Sequence, residues 1–180
     1  MKTLYLIRHC KASGQEREAE LTEEGRNEAL ELCDFLTSYP VQRIFSSPYI
    51  RAIDTIQPFA SKVELEIEMD ERLHERIISK GDYPGWYDFL KASFEDFSLS
   101  LQDGESSSEA ENRVISFLNE IKYLEEEHIV IVSHGNLLTL LLRHFNKSYG
   151  FKEWEAMTNP DVFIVHLKTS EVQRIWNASY

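Results

Sequence analysis

Thr3-Leu4-Tyr5-Leu6-Ile7-Arg8-His9 and Ile129-Val130-Ile131-Val132-Ser133-His134-Gly135 decide the fold. Both begin as continuous apolar runs of strand length, the pattern of a strand buried on both faces. Both end on groups that a hydrophobic core has no use for: a guanidinium and an imidazole in the first, an imidazole and a glycine in the second. Open α/β sheets bind their ligands at the carboxyl ends of the strands. The two runs therefore predict a parallel sheet whose C-terminal edge handles an anion.

The segments between them support that reading. After a polar stretch from Lys11 to Glu20, Thr22 is a candidate N-cap with Glu23 and Glu24 in the first turn, and Ala29, Leu32, Phe35 and Leu36 keep helical spacing up to Tyr39-Pro40. Val41 to Ser46 reads as a strand. Ser46-Ser47-Pro48 reads as a strand-to-helix turn, with Pro48 at the first helical position and Pro58 ending or kinking that helix. Val63-Glu64-Leu65-Glu66-Ile67 alternates as a half-exposed strand does. Residues 70–104 are less regular and rich in aromatics from Trp86 to Phe97, and read as a small cap insertion over one end of the sheet. Ser106 and Glu109 form a capping box ahead of a helix with Ala110, Val114, Phe117, Leu118, Ile121 and Leu124 on its apolar face. Leu137 to Phe145 predicts another helix, and Val162–Leu167 and Val172–Trp176 predict a terminal hairpin turning near Ser170. The expected architecture is one domain over residues 1–180, a three-layer α/β/α sandwich with a mostly parallel central sheet.

Composition narrows the partners. The 180-residue chain is 42% hydrophobic, enough for a substantial core, and carries a formal charge of −12. So acidic a surface repels nucleic acid and anionic membranes, and neither is expected as a partner. No run approaches the ~20 apolar residues of a membrane span, no leader precedes the first strand, and Cys10 and Cys33 have no evident reason to pair. A reducing cytoplasm is the expected location. Asn146-Lys147-Ser148 and Asn177-Ala178-Ser179 match the glycosylation acceptor pattern, but without a leader they are expected to be plain surface residues.

Phosphoryl transfer needs a nucleophile, a proton donor for the leaving oxygen, and cations around the phosphoryl oxygens. His9 is the candidate nucleophile, because a neutral imidazole nitrogen attacks phosphorus and histidine is a recognised covalent catalyst. Arg8 and Arg51 are candidate clamps, since a guanidinium fork matches paired phosphate oxygens. Arg51 is also expected in the first turn of a helix, where the dipole favours anions. His134, if protonated, adds a further cation, and Gly135 allows either close approach or an unusual dihedral.

Arg8-His9, Leu21-Thr22-x-x-Gly25, Ser46-Ser47-Pro48-x-x-Arg51-Ala52-x-x-Thr55, Leu73-x-Glu75 and Ser133-His134-Gly135 occur in this order. The series resembles the histidine phosphatase superfamily, the phosphoglycerate mutase-like fold. The resemblance implies a phosphatase without metal or other cofactor. In it His9 takes the phosphoryl group from a small phosphorylated substrate, and Glu75 serves as general acid and then base. Arg8, Arg51 and His134 hold the phosphoryl oxygens. Among 31 acidic residues only the resemblance selects Glu75. The chain departs from the family pattern in places. Cys10 replaces a common glycine, Ala12 a Ser or Thr, and Gln15 a phosphate-contacting Asn, while Gly85-Trp86 is displaced from a Gly-x-Trp segment.

Rival chemistries fit less well. A cysteine phosphatase loop on Cys10 would need arginine where Glu16 stands, no glycine precedes a lysine as a P-loop requires, and the six histidines show no metal-protease spacing. The two alternatives that remain are a phosphoglycerate mutase and a non-catalytic phosphate- or phosphoprotein-binding module. The substrate is not legible: the aromatics from Trp86 to Phe97 suit either an apolar wall for a bulky ester or ordinary packing. Oligomeric state is also unreadable.

Overall fold

A computed structural model describes residues 1–177; the second glycosylation-type pattern runs on to Ser179, outside them. The elements in chain order are β1 (Thr3–Arg8), α1 (Glu23–Leu36), β2 (Arg43–Ser46), α2 (Ile50–Val63), β3 (Ile67–Met69), a 3-10 turn (Glu71–Leu73), α3 (Trp86–Ser93), α4 (Ser107–Ile121), β4 (His128–Ser133), α5 (Gly135–Phe145), α6 (Phe151–Glu155), β5 (Asp161–His166) and β6 (Glu171–Arg174). The strands form one sheet in the order β3-β2-β4-β1-β5-β6. β1, β2, β3 and β4 run parallel, while β5 pairs antiparallel with both β1 and β6.

Alternation along the central strands explains the layers, because successive side chains leave opposite faces of a sheet. Leu4, Leu6, Ile129 and Ile131 pack with the apolar faces of α4 and α5. Tyr5, Ile7, Val130 and Val132 pack with α1 and α2 on the other side. Both faces are covered, as parallel strands require. The result is the three-layer α/β/α arrangement with a mostly parallel sheet. No helix among the described residues is long and apolar enough to cross a membrane.

Several local expectations hold. Thr22 caps α1, accepting from the Gly25 N–H at 3.0 Å, and the Ser106–Glu109 capping box opens α4. β5 and β6 form the terminal hairpin, with Ser170 at φ 57° in its turn. Other expectations are corrected. Pro48 lies ahead of α2, which starts at Ile50 after Tyr49. Of the two outcomes expected at Pro58, an end is excluded, because α2 runs on to Val63. The lost hydrogen bond there is offset by burial of Ile56, Phe59 and Ala60 against the sheet. The alternating stretch at 63–67 is mostly not strand: Val63 ends the helix, Glu64 turns the chain at φ 56°, and pairing with β2 begins only at Ile67. Helix α6 has no counterpart in the sequence reading; at five residues it is too short to show a period.

Candidate active site

The carboxyl ends of β1, β2 and β4 converge. In register, Arg8 lies beside Ser133 and Ser46 beside Val132, so His9, Ser47 and His134, each just past its strand end, share one edge. The His9 and His134 rings lie 5.1 Å apart, edge to face.

His9 is 7% exposed. Its Nδ1 lies 2.7 Å from the Cys10 carbonyl, which only accepts, so Nδ1 carries the hydrogen. Nε2 therefore keeps its lone pair and receives a hydrogen bond from Arg51 Nε at 3.3 Å. Burial, and then the Arg51 and Arg8 charges, push the His9 pKa down to about 3, against the opposing pull of the Cys10 carbonyl. Asn159 Nδ2 donates to the His9 carbonyl at 2.8 Å and helps hold the backbone.

Arg51 is fully buried at the start of α2. Its Nη1 donates to the Glu16 carbonyl at 2.7 Å, which ties the Lys11–Glu20 loop to the site, and its guanidinium lies over the Tyr49 ring. Arg8 donates through Nη1 to the Met157 carbonyl at 3.1 Å. Burial lowers the pKa of both arginines, with Glu75 pulling the other way; a guanidinium stays charged regardless. Gly135 makes room for Arg8: a Cβ there would sit 3.1 Å from the guanidinium carbon. Gly135 has no positive φ, so close approach and not an unusual dihedral is its use.

His134 is expected to add a cation only in its protonated form, and its surroundings favour the neutral ring. It is fully buried, and burial and then the His9 and Arg51 fields hold its pKa well below the ordinary value. Its Nε2 lies 2.8 Å from Ser47 Oγ. A phosphate dianion arriving beside it would favour proton uptake.

Glu75 follows the 3-10 turn and faces the N-terminus of α5. Its carboxylate accepts from the Asn136, Leu137 and Arg76 N–H groups at 3.1, 3.0 and 2.8 Å. Gln15 lines the same cavity, of about 650 Å³, together with Arg8, Tyr49, Glu75 and Asn136.

Cys10, where the family pattern commonly has glycine, is buried, and burial pushes its thiol pKa up to about 12. The side chain packs with Leu21 and Ala29, away from the cavity. Thr55, within the third sequence block, accepts from the Cys10 N–H at 2.8 Å.

Sequence reasoning missed the contributions of Asn136, Met157, Asn159 and Asp161. Asp161 is fully buried and sits beside Arg8 in register. The last three lie after the final motif, in a segment whose spacing shows no sign of a site. Among the described residues, the buried side-chain polar atoms without a partner are Arg8 Nε, Arg76 Nη2, His134 Nδ1 and Asn136 Oδ1. Arg8, Arg76 and Asn136 line this cavity, and His134 lies against His9. Buried polar atoms are otherwise nearly always paired, so the cluster marks where a polar ligand belongs. No group of three or more His, Cys, Asp or Glu side chains among the described residues is placed to hold a metal ion.

The family model described as the histidine phosphatase superfamily (branch 1) matches residues 4–177. A putative phosphoserine phosphatase 2 from Hydrogenobacter thermophilus is 32% identical over 155 residues, 77% of this chain and 75% of that protein. A mycobacterial glucosyl-3-phosphoglycerate phosphatase, solved with inorganic phosphate, superposes with a TM-score of 0.79 at 24% identity, covering 99% of this chain and 98% of that one. A phosphoserine phosphatase mutant from Entamoeba histolytica, solved with phosphoserine, gives 0.77 at 21% identity over 97% and 95%.

Proposed function

The chain belongs to the histidine phosphatase superfamily and is a phosphoric monoester hydrolase, and on that premise we propose that it works without a metal through a phosphohistidine on His9. The observation that carries this reading is the hydrogen bond from His9 Nδ1 to the Cys10 carbonyl, which leaves Nε2 unprotonated, accepting from Arg51 Nε and with the His134 ring 5.1 Å away.

Nε2 attacks phosphorus, forming the N–P bond as the P–O bond to the alcohol breaks. The electron pair departs on that oxygen, which takes a proton from the Glu75 carboxyl. Water then attacks phosphorus and gives a proton to Glu75, and the N–P pair returns to Nε2. Arg8, Arg51 and a His134 that protonates beside the dianion stabilise the phosphoryl oxygens. Gln15, at the mouth, is a further candidate contact. Glu75 accepts two backbone hydrogen bonds on Oε1 and one on Oε2, which leaves Oε2 a site for the transferred proton. Residues 70–104 act as the cap of this site, closing it beside Glu75. The two free cysteines, both buried, support a cytoplasmic location.

Phosphate release from ethyl phosphate with excess chelator tests the reading. His9→Ala should abolish turnover, by at least ~10³-fold, while Cys10→Ala keeps most of it. Acid quench of the wild type should trap protein-bound phosphate that is lost in His9→Ala. Activity surviving in His9→Ala, or disappearing with chelator, would refute it. Phosphate retained on a phosphoglycerate, with none released, would favour the mutase alternative.

A further inference from the structure

The phosphate site explains only one end of the cavity. The other end is an apolar wall built from the cap and from α6. Trp86 opens α3 and meets Trp154 of α6 edge to face, with ring centroids 6.4 Å apart. Ile77, Ile78, Tyr83 and Leu90 complete it. Trp86 is 48% exposed, Tyr83 39% and Ile77 38%. Large apolar side chains left in water beside a catalytic centre are costly unless something covers them. The cavity's 650 Å³ lies within the ~300–1,000 Å³ typical of sites that enclose a whole organic ligand, far beyond what a phosphoryl group fills.

Charge points the same way. A substrate with a carboxylate next to its phosphate needs a second free cation. Of the cavity's two arginines, Arg8 belongs to the phosphate. Arg76 is 3% exposed, and its Nε and Nη1 are held by the Glu105 carbonyl and Ser93 Oγ at 3.0 and 2.7 Å, which leaves a single buried Nη2 against the several donors a carboxylate needs. Asp82 adds a negative charge to the lining.

Building on the phosphatase reading, we propose that the cavity selects phosphate monoesters of bulky aromatic or arylalkyl alcohols, with Trp86 and Trp154 covering the ring of the alcohol. Phosphoserine-like and phosphoglycerate-like esters, small and anionic at both ends, leave the wall uncovered and are poor substrates.

The test compares 2-phenylethyl phosphate with ethyl phosphate, which share an alkyl leaving group and differ in the ring alone. We expect kcat/KM to favour the arylalkyl ester by about 30-fold, as burial of a phenyl ring implies. Trp86→Ala should erase most of that preference by lowering the 2-phenylethyl phosphate constant at least about tenfold more than the ethyl phosphate constant, and Trp86→Phe should restore part of it. A phosphoserine or 3-phosphoglycerate constant above that of 2-phenylethyl phosphate would overturn the proposal, and would instead assign the unpaired Arg76 Nη2 to a carboxylate. Equal constants for the two alkyl esters, or equal losses on both in Trp86→Ala, would overturn it as well. In each of these cases the phosphatase reading survives if His9→Ala still abolishes ethyl phosphate hydrolysis; absence of hydrolysis by the wild type defeats both.

Discussion

The two ring nitrogens of His9 meet different neighbours, a carbonyl on one side and a guanidinium N–H on the other. In the proposed mechanism that asymmetry leaves Nε2 to attack phosphorus, while burial of the ring makes the fold sensitive to acid. The folded-state pKa of His9 is about 3, well below the ordinary 6.5, and that of His134 shifts in the same direction. Between about pH 6.5 and 3 the unfolded chain binds protons that the folded chain excludes, so stability falls as pH falls through this window. His9 alone contributes up to about 2 kcal/mol of that loss between pH 6.5 and 5. Denaturant unfolding at pH 7.5 and pH 5 should show the loss, and His9→Gln should reduce it. An unchanged difference in the variant would mean that the ring is not held neutral in the folded protein.

At the scale of elements, the site is made by packing a strand end against a helix start. Gly135 begins α5 and has no Cβ to press on the Arg8 guanidinium at the end of β1. Gly135→Ala should move that guanidinium by a few tenths of an ångström. The expected result is a fall in kcat/KM of about tenfold, with a stability change under about 1 kcal/mol because only the tip of a long side chain must yield. Steady-state kinetics beside a denaturation curve separates the two effects; unaltered kinetics would show that Arg8 is not placed by this contact. The same α5 N-terminus carries the Asn136 and Leu137 N–H groups that hold Glu75. One helix start therefore touches both the proposed clamp, Arg8, and the proposed acid, Glu75, which the sequence places 67 residues apart.

Across the whole molecule, the terminal hairpin braces the site from behind. Asp161, wholly buried and next to Arg8, is paired with Arg174 Nη2 at 2.6 Å and Nε at 2.9 Å. Arg174 is 40% exposed and Asp161 also accepts from the Thr158 and Val162 N–H groups, so Arg174→Ala should cost about 1–2 kcal/mol of unfolding free energy and raise KM, because Asp161 then competes with substrate for Arg8. Arg174→Lys should recover part of both. A variant as stable as the wild type would show that the pair is not worth its burial.

The sequence by itself determined the sheet's central strands, both helical layers, and the ends where chemistry gathers. These rest on local signals: apolar runs, a cap at Thr22, a capping box at Ser106, and the odd placement of Arg8, His9 and His134 after buried strands. Glu75 was legible only through the ordered blocks of a family, because one carboxylate among many carries no local mark. Tertiary structure alone decided the rest. That the His134 pKa is held down and the Cys10 thiol pushed up follows from burial, which no spacing reveals. That α2 passes through Pro58 follows from the apolar residues around it, whose packing outweighs a missing hydrogen bond. Asn159 and Asp161 reach the site because β5 folds back antiparallel beside β1, a long-range pairing. Contacts so distant along the chain are chosen by how faces pack and leave no local period to read.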